Sequence, residues 1–113
     1  MNDNKLNVLW TSADPVTAKE MVLLYTVNSL KREWWDKVTV IIWGGATKLI
    51  TENKNIQDLI KQGMEVGVNF VACLHCAQQV NAEEILTKIG VELKYMGKDL
   101  TEIIKSGEHL ITV

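Results

Sequence analysis

Short apolar runs alternate with longer amphipathic segments along the whole chain, and this alternation is the feature that most constrains its fold. The runs KVTVIIWGG (37–45) and NFVACL (69–74) are rich in apolar and β-branched residues, as in central parallel strands buried on both faces. LNVLWTS (6–12), VELKY (91–95) and HLITV (109–113) indicate three more strands. The order β-α-β-α-β-α-β-α-β predicts an α/β fold, with a mostly parallel five-stranded sheet and helices on both faces.

The first predicted helix is the longest and has an unusually wide apolar surface. It follows Asp14-Pro15, a capping residue and a first-turn proline, and extends to about Trp35. A surface this wide predicts that the helix is covered on two sides or lies at a subunit contact. The residues expected on its inner stripe are Val16, Leu23, Val27, Leu30 and Trp34.

Three further helices are predicted from their periodicity and their first residues. One covers about 53–66, and Gly67 ends it. Another begins at Asn81, with Glu84 at capping-box spacing, and ends at Gly90. The last begins at Asp99, with Glu102 at the same spacing, and ends at Gly107. All connections between elements are short, so the sequence predicts one domain over residues 1–113.

Composition and charge exclude several classes of protein. Apolar residues make up 47% and charged residues 23% of the 113 residues, an ordinary globular balance. Twelve basic against fourteen acidic residues, with no basic cluster, argue against nucleic-acid binding. No apolar run approaches the roughly 20 residues of a membrane helix, so we expect no membrane association. With two cysteines and no signal-like N-terminus, the sequence predicts a cytoplasmic location.

The stretch VACLHCAQQV (71–80) contains both cysteines of the chain, Cys73 and Cys76, with His75 between them. The cysteines follow the third predicted strand, and in open parallel sheets ligands bind beyond the carboxyl ends of the strands. We therefore predict a site at this edge. The other residues predicted to line it follow strands one, two and four: Thr11, Ser12, Gly44, Gly45, Met96 and Gly97.

Four interpretations of the two cysteines are open from the residues alone. They can be inert core residues, since cysteine is among the most often buried types. Zinc would need a fourth ligand beyond Cys73, His75 and Cys76, so we predict no metal site. The C-x-x-C spacing also suits a dithiol oxidoreductase, in which Cys73 attacks and Cys76 resolves. Sulfur transfer is the fourth, since a strand-to-helix junction favours a nucleophilic thiolate.

The sequence contains no phosphate loop of the form G-x-x-x-x-G-K-[ST] and no dinucleotide fingerprint. We therefore expect no cofactor.

Taken in order, several segments resemble the DsrE/DsrF-like (YchN-like) family of small sulfur-relay proteins over nearly the whole chain. These are LWTSADP, IIWGGATKLI, GVNFVACLHCAQQ and GVELKYMGKDLTEIIKSGEHLITV. The resemblance implies a three-layer α/β/α domain that assembles as a trimer or hexamer. It also implies sulfur donor and acceptor proteins as partners.

In that family a cysteine just after the third strand is the sulfur carrier, and it aligns with Cys73. The resemblance thus implies a sulfurtransferase-like carrier with a persulfide on Cys73. Many relatives have a single cysteine here, so Cys76 is a departure that suggests a resolving thiol. Relatives often have a glycine where this chain has Asn81, which also tolerates the left-handed conformation. The alternatives are a non-catalytic binding or assembly module with structural cysteines, and the dithiol oxidoreductase.

Overall fold

The computed structural model describes residues 4–113, which form one sheet flanked by helices. The strands are β1 (Lys5–Trp10), β2 (Lys37–Ile42), β3 (Asn69–Cys73), β4 (Glu92–Lys94) and β5 (His109–Thr112). They lie in the order β4-β3-β2-β1-β5, and every neighbouring pair is parallel. The predicted α/β class, strand count and direction are confirmed.

The helices are more finely divided than the sequence predicts. They are α1 (Pro15–Thr17), α2 (Leu24–Lys31), α3 (Gly45–Glu52), α4 (Lys54–Val66), α5 (Leu74–Gln79), α6 (Glu83–Ile89) and α7 (Gly97–Ser106), with a π-helical segment (Ala18–Leu23) joining α1 to α2. The helix predicted at about 53–66 is confirmed as α4. Helices α3 and α5 were not predicted, and both lie directly beside the candidate site. Among residues 4–113, no helix is both long and apolar enough to cross a membrane.

The predicted inner stripe of the first helix is wrong at both ends. Val16 is 64% exposed and Trp34 is 52% exposed. A π-helical segment has more residues per turn, so positions before it lose register with those after it. The chain also leaves the helix after Lys31, before it reaches Trp34. The residues that the π segment and α2 bury are Ala18, Val22, Leu23, Thr26 and Ser29.

The predicted N-cap residues of α6 and α7 are both wrong: Asn81 lies one residue before the observed N-cap, and Asp99 lies three residues after it. Ala82 occupies the N-cap of α6, and Met96 occupies that of α7. Asp99 instead lies in the first turn of α7, where its carboxylate is 2.7 Å from the ammonium of Lys94. The left-handed conformation expected for Asn81 is confirmed by its φ of 54°.

The two faces of the sheet are covered very differently. Side chains such as Val8, Val40 and Phe70 point to one face, where they pack with residues of the π segment and of α3 to α6 in the main core. The opposite face carries a minor cluster formed by Ile41, Val71, Cys73 and Met96. Helix α7 joins β4 to β5, which lie at opposite edges, and so it crosses this second face.

Candidate functional site

Cys73 is the last residue of β3 and the N-cap residue of α5. Its register partner is Lys94 on β4, and its side chain packs in the minor cluster with Ile41 and Met96. Only 5% of Cys73 is exposed. The sulfur thus lies at the carboxyl end of a central strand, where the sequence predicts it, but beneath other side chains.

Cys76 lies one turn further along α5 and is only half-buried. Its side chain packs against the minor cluster, so the two thiols share one site. The backbone N–H of Gly44 donates a hydrogen bond to Cys76 Sγ over 3.5 Å, at an exposed position. Both cysteines are free thiols, and Cys76 is the one that solvent reaches more easily.

Burial raises the pKa of the Cys76 thiol. The Gly44 N–H opposes this rise in pKa because it stabilises the thiolate, while the neighbouring Cys73 adds to it. Burial is the largest of these causes, so the surroundings of Cys76 favour its neutral thiol.

Gly44 and Gly45 shape the loop between β2 and α3 in two different ways. Gly44 has φ 57° and ψ −131°, a conformation that residues with a Cβ avoid. A Cβ at Gly45 would lie 3.1 Å from both the Thr11 carbonyl oxygen and the Ala13 Cβ. The first glycine thus aims its N–H at Cys76, and the second lets the β1 loop approach closely.

Thr11 and Ser12 follow β1, as predicted, and their hydroxyls make local hydrogen bonds. The Thr11 hydroxyl donates to the carbonyl of Val113 over 3.1 Å. The Ser12 hydroxyl accepts from the backbone N–H of Asp14 over 3.1 Å. These bonds fix the loop against the end of β5. Thr11 reaches the site through its carbonyl, which accepts from the Ala46 N–H at the start of α3.

The remaining predicted site residues fall in three different environments. Met96 is 3% exposed and packs against Cys73. His75 is exposed on α5. Gly97 begins α7 and has open space where a Cβ would lie. Of these three, Met96 is the one that the structure places in contact with the cluster containing the thiols.

Sequence reasoning missed the apolar residues that enclose the thiols. Ile41 and Val71 belong to the minor cluster, and Leu9, Trp43 and Ile103 pack against it. The period-2 alternation of β2 and β3 contains a usable signal, because Ile41, Val71 and Cys73 must share a face once the strands pair in parallel. Only the contribution of Ile103 depends on how α7 crosses the sheet.

A groove of about 610 Å³ opens near the beginnings of β2 and β3, and part of its wall lies on the same face of the sheet as the minor cluster. Its polar side chains come from four elements and include Lys37, Thr39, Asn69, Glu92 and Asp99. Val71 and Met96 line the groove and also belong to the minor cluster. The groove and the cluster that contains Cys73 therefore share part of their walls.

Metal-ligating side chains do not gather at this site. Within residues 4–113, no three of the side chains of His, Cys, Asp and Glu come together in a way that would hold a metal ion. The polar groups at the thiols are the two sulfurs and the Gly44 N–H. The N–H donates a hydrogen bond and cannot bind a metal ion. This set suits sulfur chemistry better than metal binding.

Comparisons with known proteins agree with the fold and with the predicted family. Residues 8–113 match the model of the DsrE/DsrF-like family. No curated protein sequence matches the chain.

Among solved structures, a conserved protein of unknown function, BT1422 from Bacteroides thetaiotaomicron, is 33% identical, with a TM-score of 0.95 over 97% of this chain and 95% of that one. The YchN protein from E. coli is 16% identical, with a TM-score of 0.75 over 97% and 99% of the two chains. MTH1491 from Methanobacterium thermoautotrophicum is 14% identical, with a TM-score of 0.72 over 98% and 100%. The last two similarities show the fold alone. The family match covers nearly the whole described chain, and we conclude that this protein belongs to the DsrE/DsrF-like family.

Proposed function

We propose that this protein handles sulfur by carrying it as a persulfide on Cys73, with Cys76 as a resolving thiol. The observation that carries the proposal is the shared site of the two free thiols at the carboxyl end of β3. Membership of a family of sulfur-relay proteins supports it. The burial of Cys73 also supports it, because an enclosed persulfide is protected from oxidants and from stray thiols.

The chemistry needs no oxidant. In loading, the Cys73 thiolate attacks the outer sulfur of a donor persulfide R–S–SH, a new S–S bond forms, the donor S–S bond breaks, and the donor leaves as R–S⁻. An acceptor thiolate then removes the outer sulfur by the same exchange. In resolution, the Cys76 thiolate attacks Cys73 Sγ, which forms a Cys73–Cys76 disulfide and releases HS⁻.

The other predicted site residues have more modest proposed roles. Gly44 holds Cys76 in place through its N–H, and Met96 covers Cys73. Thr11, Ser12 and Gly45 form the loop wall behind α3. His75 and Gly97 lie at the rim, where a docking partner would contact them.

We also propose a cytoplasmic homo-oligomer, a trimer or hexamer, that meets sulfur donor and acceptor proteins. The exposed apolar residues Val16, Leu24 and Trp34, in and just after the first helical region, are available for such contacts. A dithiol oxidoreductase is the second candidate, favoured by the C-x-x-C spacing and by the two free thiols that share one cluster. It differs in requiring an exchangeable disulfide without sulfur uptake.

The test is intact mass spectrometry after incubation with glutathione persulfide, followed by peptide mapping. We expect wild type to gain a cyanide-labile sulfur atom that maps to Cys73 and then, on longer incubation, to form the Cys73–Cys76 disulfide with release of sulfide. The Cys73→Ser/Cys76→Ser double variant should gain nothing. A wild type that takes up no sulfur, with both thiols protected from alkylation until unfolding, would contradict the proposal and leave a packing role. Disulfide exchange without sulfur uptake would favour the oxidoreductase.

A further inference from the structure

The thiol proposed to carry the sulfur is the more deeply buried of the two, although a sulfur donor must be able to reach the thiol that it loads. The proposed carrier, Cys73, is 5% exposed and packs with Ile41, Val71 and Met96 in the minor cluster. Cys76 is half-buried, and its hydrogen bond from Gly44 lies at an exposed position. A donor persulfide on another protein must bring its outer sulfur into line with the attacking sulfur. Cys76 meets this requirement in the folded state, whereas Cys73 meets it only if covering side chains move.

We propose that Cys76 is the receiving thiol: it takes the sulfur from the donor first and then passes it inward to Cys73. This inference rests on the proposed function and adds an internal step to it. In the first step, the Cys76 thiolate attacks the outer sulfur of the donor R–S–SH, which leaves R–S⁻ and Cys76–S–SH. In the second step, the Cys73 thiolate attacks the outer sulfur of Cys76–S–SH, which gives Cys73–S–SH and restores the Cys76 thiolate. Each step forms one S–S bond and breaks one, so no oxidant or reductant is consumed.

Contacts on both sides of Cys76 support the two steps. The sulfur of Cys76 packs against the cluster that contains Cys73, so the inward transfer needs no large movement of the backbone. The Gly44 N–H is aimed at Cys76 Sγ, where negative charge appears when the sulfur atom leaves. Gly44 reaches this position only because its backbone adopts φ 57° and ψ −131°. Gly44 is thus a positioning residue for Cys76.

This arrangement also predicts which thiol keeps the sulfur. A persulfide left on the half-buried Cys76 would remain open to any solution thiol, whereas a persulfide on Cys73 is enclosed by Ile41, Val71 and Met96. Transfer from Cys76 to Cys73 therefore gives a persulfide that is shielded from solution thiols and that Cys76 itself resolves only on longer incubation. The pair separates uptake from storage, and a single cysteine at either position alone would not achieve both.

The experiment follows the initial rate of sulfur uptake from a persulfidated donor protein, such as a persulfidated single-cysteine thioredoxin variant, in four forms of the full chain. These are wild type, Cys73→Ser, Cys76→Ser and the matched control Gln78→Ser, which alters an exposed residue on the same helix. We expect Cys73→Ser to load at the wild-type rate with the sulfur mapped to Cys76. We expect Cys76→Ser to load Cys73 at least about tenfold more slowly, because loading then waits for local opening. Gln78→Ser should behave as wild type, with the sulfur on Cys73.

Three outcomes overturn the inference and separate its failure from that of the proposed function. If Cys76→Ser loads Cys73 at the wild-type rate, the receiving role of Cys76 is wrong and carriage on Cys73 stands. If Cys73→Ser takes up no sulfur, Cys76 does not receive it. If no form loads, both proposals fail together. Circular dichroism of each form excludes misfolding, and Cys76→Ala repeats the test should Cys76→Ser be destabilised.

Discussion

The two faces of the sheet differ in what covers them, and this difference separates stability from chemistry in the molecule. The main core lies between one face and most of the helices, and its central residues are fully buried. The other face is crossed by α7, which buries none of its own residues completely, and Cys76 of α5 and Trp43 also pack against the cluster on this face. Both thiols contact the second face. A thinly covered cluster can open locally at low cost, which a site of exchange needs and a core does not.

A polar row on the second face sharpens the contrast between the two faces. Asn7, Thr39 and Asn69 are register partners on three adjacent strands and point away from the main core. Parallel sheets are usually apolar on both faces because helices cover them. Here the buried apolar cluster of the second face lies at the end that carries Cys73.

The largest expected effect is a loss of stability when either of two adjacent isoleucines on β2 is changed to alanine. The two variants compare the two faces of the sheet directly. Ile42 points into the main core and Ile41 into the minor cluster, and both are fully buried. We expect Ile42→Ala to lower the free energy of unfolding by about 4 kcal/mol, since its surroundings cannot close around the cavity. We expect Ile41→Ala to cost about 2–3 kcal/mol, because α7 can settle into the space. Urea denaturation measures both values.

The Ile41→Ala and Ile42→Ala variants should also differ in the rate at which Cys73 is alkylated. Ile41→Ala should speed native-state alkylation of Cys73 in low urea, whereas Ile42→Ala should speed it only as far as its loss of global stability allows. Equal alkylation rates after this correction would mean that the two faces protect the thiol alike. The contrast between core and site would then be wrong.

The next largest change in stability is expected at two glycines that have open space where a Cβ would lie. A Cβ at Gly44 or at Gly97 meets nothing within 4 Å, but only Gly44 has a positive φ. Gly44→Ala should therefore cost about 1–3 kcal/mol through backbone strain alone. It should also displace the N–H that bonds Cys76. Gly97→Ala, the matched control, should stabilise the protein by about 0.4–1 kcal/mol because it restricts the unfolded chain.

Thermal unfolding, together with the alkylation rate of Cys76, checks both glycine variants. A Gly44→Ala variant as stable as wild type, with Cys76 reacting at an unchanged rate, would remove the proposed positioning role of this loop.

The smallest expected effect is a pH dependence of stability from Cys76. Its pKa is raised in the folded state above the ordinary value of 9.0, chiefly by burial. Folding therefore favours the neutral thiol, and this contribution is fully present below about pH 9 and lost as the pH rises through the folded pKa. We expect wild type to lose more stability than Cys76→Ser between about pH 8 and about pH 10, as measured by urea denaturation. Identical pH profiles would show that folding does not change the pKa of Cys76.

The parts of the fold that were predictable are those that depend on local pattern. The β-branched runs and the glycine ends of α4, α6 and α7 are readable because burial and chain reversal each demand particular residue types. The π-helical segment was not predictable, because its apolar spacing also fits a regular helix. The short helix α5 was missed because only six residues separate Cys73 from the turn at Val80.

The candidate site also has a part that the sequence predicts and a part that it does not. The placement of Cys73 at the carboxyl end of a parallel strand follows from alternation alone. The hydrogen bond from Gly44 to Cys76 joins residues 32 positions apart, and only the packing of α3 beside α5 brings them together.

The sequence by itself determined the α/β class, the parallel sheet, the family and the edge of the sheet at which the thiols lie. Each of these follows from residue types and their order, which act over a few neighbouring positions. Only the tertiary structure decided that Cys73, the proposed carrier, is the more buried thiol and that α7 crosses its face of the sheet. Burial depends on which distant elements fold over a residue, and α7 crosses this face because it must connect opposite edges of the sheet.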